Sequence, residues 1–128
     1  MASIFTKIIE GEIPAHRVWE DEQHLAFLDI RPVQPGHTLV IPKREVSYLF
    51  DLEEREQAAL WDAVRTVEKK LRTAVSCERV VLSVVGWEVP HVHVHLIPTD
   101  GIGDFPFPGP CQFDSDQLSE IAAKIAAS

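Results

Sequence analysis

Apolar residues recur along this chain in two rhythms, and the changes of rhythm mark its elements. Leu60, Val64, Val67 and Leu71 repeat at three- and four-residue spacing, drawing one apolar stripe down a long helix. Asp51 with Glu54 three residues on reads as its capping box, and Lys69, Lys70 and Arg72 fall near the negative end of its dipole. Trp61 sits on the flank of the stripe. A short helix is predicted over residues 3–9, carrying Ile4, Phe5, Ile8 and Ile9 and stopped by Gly11 and Pro14. At the other end, Asp114 or Ser115 caps a helix whose one face holds Leu118, Ile121 and Ile125.

Strand rhythm fills the intervals. Val18 with Trp19, residues 25–30 and residues 37–41 are separated by charged residues or by the breaker-dense turn from Pro32 to Gly36, the spacing of an antiparallel meander. Residues 79–85 are apolar on both faces, which predicts a central strand, and Gly86 and Pro90 turn it back to pair antiparallel with the next. Past Pro98, the residues Gly101, Gly103, Pro106, Pro108, Gly109 and Pro110 make a loop without periodicity. Strands, a helix and strands again give an α+β fold: about five antiparallel strands, one long helix, a short N-terminal helix and a C-terminal helix, with the helices on one face. The expectation is a single domain over residues 1–128, its core in about 3–98 and a loop and helix in 99–128.

The last strand breaks the rule that a buried sheet follows. In His91-Val92-His93-Val94-His95-Leu96-Ile97 the valines and the leucine occupy one face, and three histidines the other. Imidazole is the side chain that titrates near neutrality, and it serves as nucleophile, acid, base, donor or metal ligand. At about 3.3 Å per residue the outer two are about 13 Å apart along an extended strand, too far for all three to hold one ion. Closely spaced imidazoles disfavour one another's protonation, so at least one stays neutral and nucleophilic. A metal shared by a neighbouring pair, or plain satisfied polar residues, are the competing accounts.

Composition bounds the rest. The 128 residues carry a net charge of −8, which opposes nucleic acid polymers and anionic membranes as main partners but leaves a small anion possible where local donors outweigh the field. Lys43 and Arg44 are the conspicuous basic pair. Cys77 and Cys111 lack metal spacing and read as free thiols, and no apolar leader or membrane span is expected, so the expected setting is the cytoplasm.

The histidine motif, with Ile4-Phe5-Thr6-Lys7-Ile8-Ile9, Glu12-Ile13-Pro14, Phe27-Leu28-Asp29-Ile30 and residues 35–43 in order, resembles the histidine triad (HIT) family of nucleotide hydrolases and transferases, from about Ser3 to Pro98. That resemblance implies a nucleotide substrate, attack of His93 on an α-phosphate, and a covalent nucleotidyl-histidine resolved by water or another acceptor. It implies that His95 donates to the phosphate and that His91 helps set the tautomer of His93. It also implies that Phe5, Ile8, Ile13, Phe27 and Ile30 enclose a purine, with Asp29 on the ribose, and that no cofactor takes part. A two-fold homodimer is implied too, for which the long helix with Trp61 offers a face.

Departures from the family pattern bear on what the site can do. Ser3, Thr6 and Glu45 stand where many members carry two cysteines and a histidine as ligands of a structural zinc, so that zinc is not expected here. The segment before the triad is short, with Trp87 and Glu88 in slots that usually present neutral donors to phosphate, and Ser83 replaces an asparagine. Glu88 is a candidate general acid if protonated. Two alternatives to a nucleotidyl-transferring enzyme remain: a nucleotide-binding or sensing protein of the same fold, and a metal-dependent enzyme using two of the histidines with Glu45 or Glu88.

Overall fold

The computed structural model describes residues 2–104 and 110–128. Helix α1 (Ile4–Ile9) leads into a meander of β1 (Arg17–Glu20), β2 (His24–Leu28) and β3 (Thr38–Pro42), followed by the long helix α2 (Glu54–Ala74). Then come β4 (Arg79–Ser83), β5 (Val94–Thr99) and α3 (Ser115–Ala126), with single 3-10 turns at Leu49–Asp51 and Ile102–Asp104. The five strands form one antiparallel sheet in the order β1-β2-β3-β5-β4. Pro106, Pro108 and Gly109 of the expected loop lie outside the described residues.

Two apolar layers sandwich the sheet, because β2 and β3 are buried on both faces. Ala26, Leu28, Val40, Val94 and Leu96 face α2 and α3, meeting Leu60, Val64, Val67, Leu71, Leu118 and Ile125. Each of the valines, leucines and isoleucines among them contributes about 1.5–3 kcal/mol on burial. Leu25, Phe27, Leu39 and Ile41 face the other way and meet Phe5 and Ile8 of α1. The short helix therefore lies opposite the two longer ones, not on their face as the sequence suggested. Trp61 is half-buried against the core that α2 covers.

Three local expectations change. The cap of α2 is Glu53, paired reciprocally with Glu56, while Asp51 closes the preceding 3-10 turn. Strand β4 is an edge strand with Leu82 47% exposed, not a central one, because β5 takes the place beside β3. The ladder of β5 begins only at Val94, leaving His91 and His93 in the extended approach to it. Gly36 (φ +89°) turns the chain into β3, and a Cβ there would lie 3.1 Å from both Leu71 and Val75, so the residue before His37 is pressed onto the end of α2.

Candidate active site

The histidines are not on an open surface. His91 is fully buried, and each of its ring nitrogens is committed: Nε2 lies 2.7 Å from the Pro42 carbonyl and Nδ1 2.7 Å from Ser3 Oγ. A carbonyl only accepts, so Nε2 carries the proton and Ser3 donates its hydroxyl proton to Nδ1. Ser3 also caps α1, and its amide donates to Glu45 Oε1 at 2.7 Å, the oxygen that Thr6 Oγ1 approaches at 2.6 Å. These bonds hold the Glu45 carboxyl below its ordinary range. Ser3, Thr6, Glu45 and His91 thus form one closed polar knot fastening α1 to the sheet. Serine and threonine hydroxyls already spent on hydrogen bonds do not fit a structural zinc, and Glu45 reaches His91 only through Ser3.

The same argument assigns the remaining tautomers. His93 Nδ1 lies 2.7 Å from the main-chain carbonyl of His91, so it is the protonated nitrogen, and Nε2 keeps its lone pair with no partner among the described residues. Val33 N–H donates to His37 Nδ1 at 3.2 Å, which puts the His37 proton on Nε2. That nitrogen is 2.9 Å from His95 Nδ1, which must accept, and His95 is left with a proton on Nε2. Burial, then the neighbouring His37 and His93, pushes the His95 pKa down to about 4. Burial likewise lowers His37, against the pull of Asp29, and lowers His91. The result is an acceptor on His93 beside a donor on His95, with ring centres 5.0 Å apart.

Both rings line a cavity of about 550 Å³ between the sheet and α1, within the range of small-molecule sites. Of the residues expected there, Phe5, Ile8, Ile13, Phe27, Asp29, Ile30, Glu88, His93 and His95 line it. Ser83 does not, although it pairs with His95 in the sheet, and neither does buried His91. Asp29 Oδ1 accepts from Arg31 N at 2.8 Å, and Oδ2 lies 3.7 Å from His37 Nε2. Glu88 is exposed and makes no ion pair among the described residues. Lys43 and Arg44 are paired with Glu20 and Glu56, each at 2.7 Å, and line no part of the cavity. The residue missed by sequence reasoning is His37: it stands alone just before an apolar strand, and only the pairing of Leu39 with His95 brings it into range.

Asp29, His37 and His95 offer ligand atoms all within 4.8 Å of one another. The donor set nevertheless does not fit a metal, since Val33 N–H occupies the Nδ1 lone pair of His37 and forces onto Nε2 the proton that a metal would displace.

These shifts set a pH dependence. Between the value near 4 for folded His95 and the ordinary 6.5, the unfolded chain binds protons that the folded one refuses, so stability is lost as pH falls through that window. His37 and His91 shift the same way, whereas Glu45 acts below about 4.5. The melting temperature should therefore fall steadily from pH 6.5 toward 4.5, and imidazole NMR should find His95 neutral throughout. A flat melting temperature with His95 charging near 6.5 would contradict the buried arrangement.

Comparison with known proteins agrees with the geometry. The HIT domain family model matches residues 10–102. An uncharacterised HIT-like protein of Methanocaldococcus jannaschii is 44% identical over 99 residues, covering 74% of this chain and 77% of that one. The adenosine 5'-monophosphoramidase of Saccharomyces cerevisiae is 38% identical over 102 residues, covering 76% and 62%. A crystal structure of a HIT-like protein from Bartonella henselae superposes with a TM-score of 0.86 at 33% identity, covering 98% of this chain and 94% of that one. With its three alternating imidazoles on the expected fold and a family match across most of its length, the chain belongs to the HIT family.

Proposed function

We propose that this protein cleaves a purine nucleotide at its α-phosphate through a nucleotidyl intermediate on His93. The observation that carries the reading is the His93 tautomer: its Nδ1–H is held by the His91 carbonyl, so the Nε2 lone pair is the free end of the ring in the cavity. Nε2 attacks phosphorus, and the bond to the leaving group breaks with its electron pair staying on that group, which takes a proton from solvent. Water then attacks phosphorus and gives up a proton to solvent, and the phosphorus–nitrogen bond breaks with its electron pair returning to Nε2, which releases a nucleoside monophosphate and restores the His93 lone pair. The Nε2–H of His95 donates to the phosphate oxygen as charge builds. Phe5, Ile8, Ile13, Phe27 and Ile30 supply the apolar walls for the base. The name of the yeast relative supports a phosphoramidate among the substrates.

Support for a hydrolase over a mere nucleotide sensor is that no described residue occupies the His93 lone pair, which binding alone would not require. Rapid quench with an adenosine phosphoramidate should trap a nucleotidyl group on His93, in chelator as well as without it. His93→Ala should lose more than about a thousandfold in kcat while binding stays within about tenfold. An active variant, or an adduct elsewhere, would end the proposal.

Asp29 keeps acceptor capacity beyond its bond to Arg31, which suits the two ribose hydroxyls. Asp29→Asn should weaken ribonucleotide binding by about 1.5–3 kcal/mol and erase most of the preference for ribo over deoxyribo ligands. Equal wild-type binding of the two sugars, measured by calorimetry, would assign Asp29 another role.

The molecule is read as a two-fold homodimer joined beside β4, whose outer edge has no partner among the described residues and is flanked by exposed Leu82, Val84 and Val85. Light scattering at micromolar concentration should give twice the chain mass, and a single-chain mass would refute the pairing. Among the described residues no helix is long and apolar enough to cross a membrane. The free thiols of Cys77 and Cys111 support a reducing, cytoplasmic setting.

A further inference from the structure

The cavity has a closed end and an open one. Phe5, Ile8, Phe27 and Leu39 are all under 8% exposed and form the closed apolar end, while Ile30, Val85, Trp87 and Glu88 rim the mouth. Trp87 is 92% exposed, with no described residue of its own chain covering it. Gly86, at φ +81°, turns the short loop that carries it. Among the described residues, the charged ones lining the cavity are both acidic, Asp29 and Glu88, and no lysine or arginine lines it. Such a site meets a polyphosphate with repulsion and has no cation to relieve it.

Displacement at phosphorus is roughly in line, so the leaving group departs on the side away from the attacking nitrogen. His93 is only 7% exposed and sits on the floor. The departing group therefore points out through the mouth, past Trp87 and Glu88. An indole face attracts a cation, and an unpaired carboxylate beside it does so more strongly.

We propose that the mouth formed by Trp87 and Glu88 is a subsite for a positively charged leaving group, making the preferred substrates nucleoside phosphoramidates of amines that carry a second, cationic end. This rests on the nucleotidyl-transfer reading above and narrows it against dinucleoside polyphosphates. Glu88 then acts as a charge partner, not as the proton donor its position first suggested.

Three adenosine phosphoramidates of one six-carbon amine chain test it, the chain ending in trimethylammonium, tert-butyl or sulfonate. The long linker keeps the three reacting nitrogens alike in basicity. Wild-type kcat/KM should fall in that order by about tenfold per step, and the spread should shrink at high salt. Glu88→Gln should bring the cationic-to-neutral ratio close to one, and Trp87→Ala should lower it in part. Equal rates for all three in an enzyme that still forms the His93 adduct would overturn the subsite and leave the nucleotidyl reaction standing. An ordering that Glu88→Gln leaves intact, or a loss that is the same for all three, would overturn it too, the latter pointing to proton donation. If none is turned over, the reaction itself fails. The subsite is then judged by calorimetric binding of the same compounds to wild type and Glu88→Gln: an ordering by charge that the variant loses supports it, and equal affinities overturn it.

Discussion

Burying an imidazole obliges the protein to account for both ring nitrogens, and this obligation organises the molecule. An unpaired polar group inside costs about 1–3 kcal/mol, and no side-chain nitrogen or oxygen among the described buried ones lacks a partner. His91 is satisfied by Ser3 and Pro42, His37 by Val33 and His95. Backbone groups stand at the ends of these chains, and they cannot change their roles. A carbonyl always accepts and an amide always donates, so each ring has one tautomer. The lone pair of His93 and the proton of His95 are consequences of where main-chain atoms lie.

The same bonds tie the cavity wall to the chemistry. Helix α1 supplies Phe5 and Ile8 to the cavity, and it is too short to be stable alone. Its attachment runs from Glu45 through Ser3 and Thr6 to His91, whose carbonyl in turn holds His93. The ring of Phe5 also meets that of His93 edge-on with centres 5.0 Å apart. A displacement of the N-terminus would thus reach the lone pair through two residues. Where the family pattern has cysteines and a histidine, this chain has side chains that hold each other by hydrogen bonds.

Charge in the cavity follows a similar logic. The acidic balance of the chain is not spread evenly, for the basic pair Lys43 and Arg44 is neutralised by Glu20 and Glu56 on another face. What remains at the site is the Nε2 of His95, the Nε2 of His93 and the carboxyl groups of Asp29 and Glu88.

Much of this was legible before folding. The helical stripe from Leu60 to Leu71, the short strands of the first meander and the alternating histidines each depend on residues close in sequence, whose periodicity is fixed by helix and strand geometry. With the resemblance they carry, they specified the α+β fold and part of the cavity lining: Phe5, Ile8, Ile13, Phe27, Asp29 and Ile30 with His93 and His95. Asp51 as a cap, β4 as a central strand and α1 beside the other helices were misjudged, because each depends on what packs alongside. His37 could not be seen as part of the site, since 58 residues separate it from His95 and only the pairing of β3 with β5 removes that distance. Nor could any sequence pattern say which nitrogen of each ring holds the proton. The amide of Val33 and the carbonyls of Pro42 and His91 decide that, and every sequence has such groups. Their placement belongs to the tertiary structure alone.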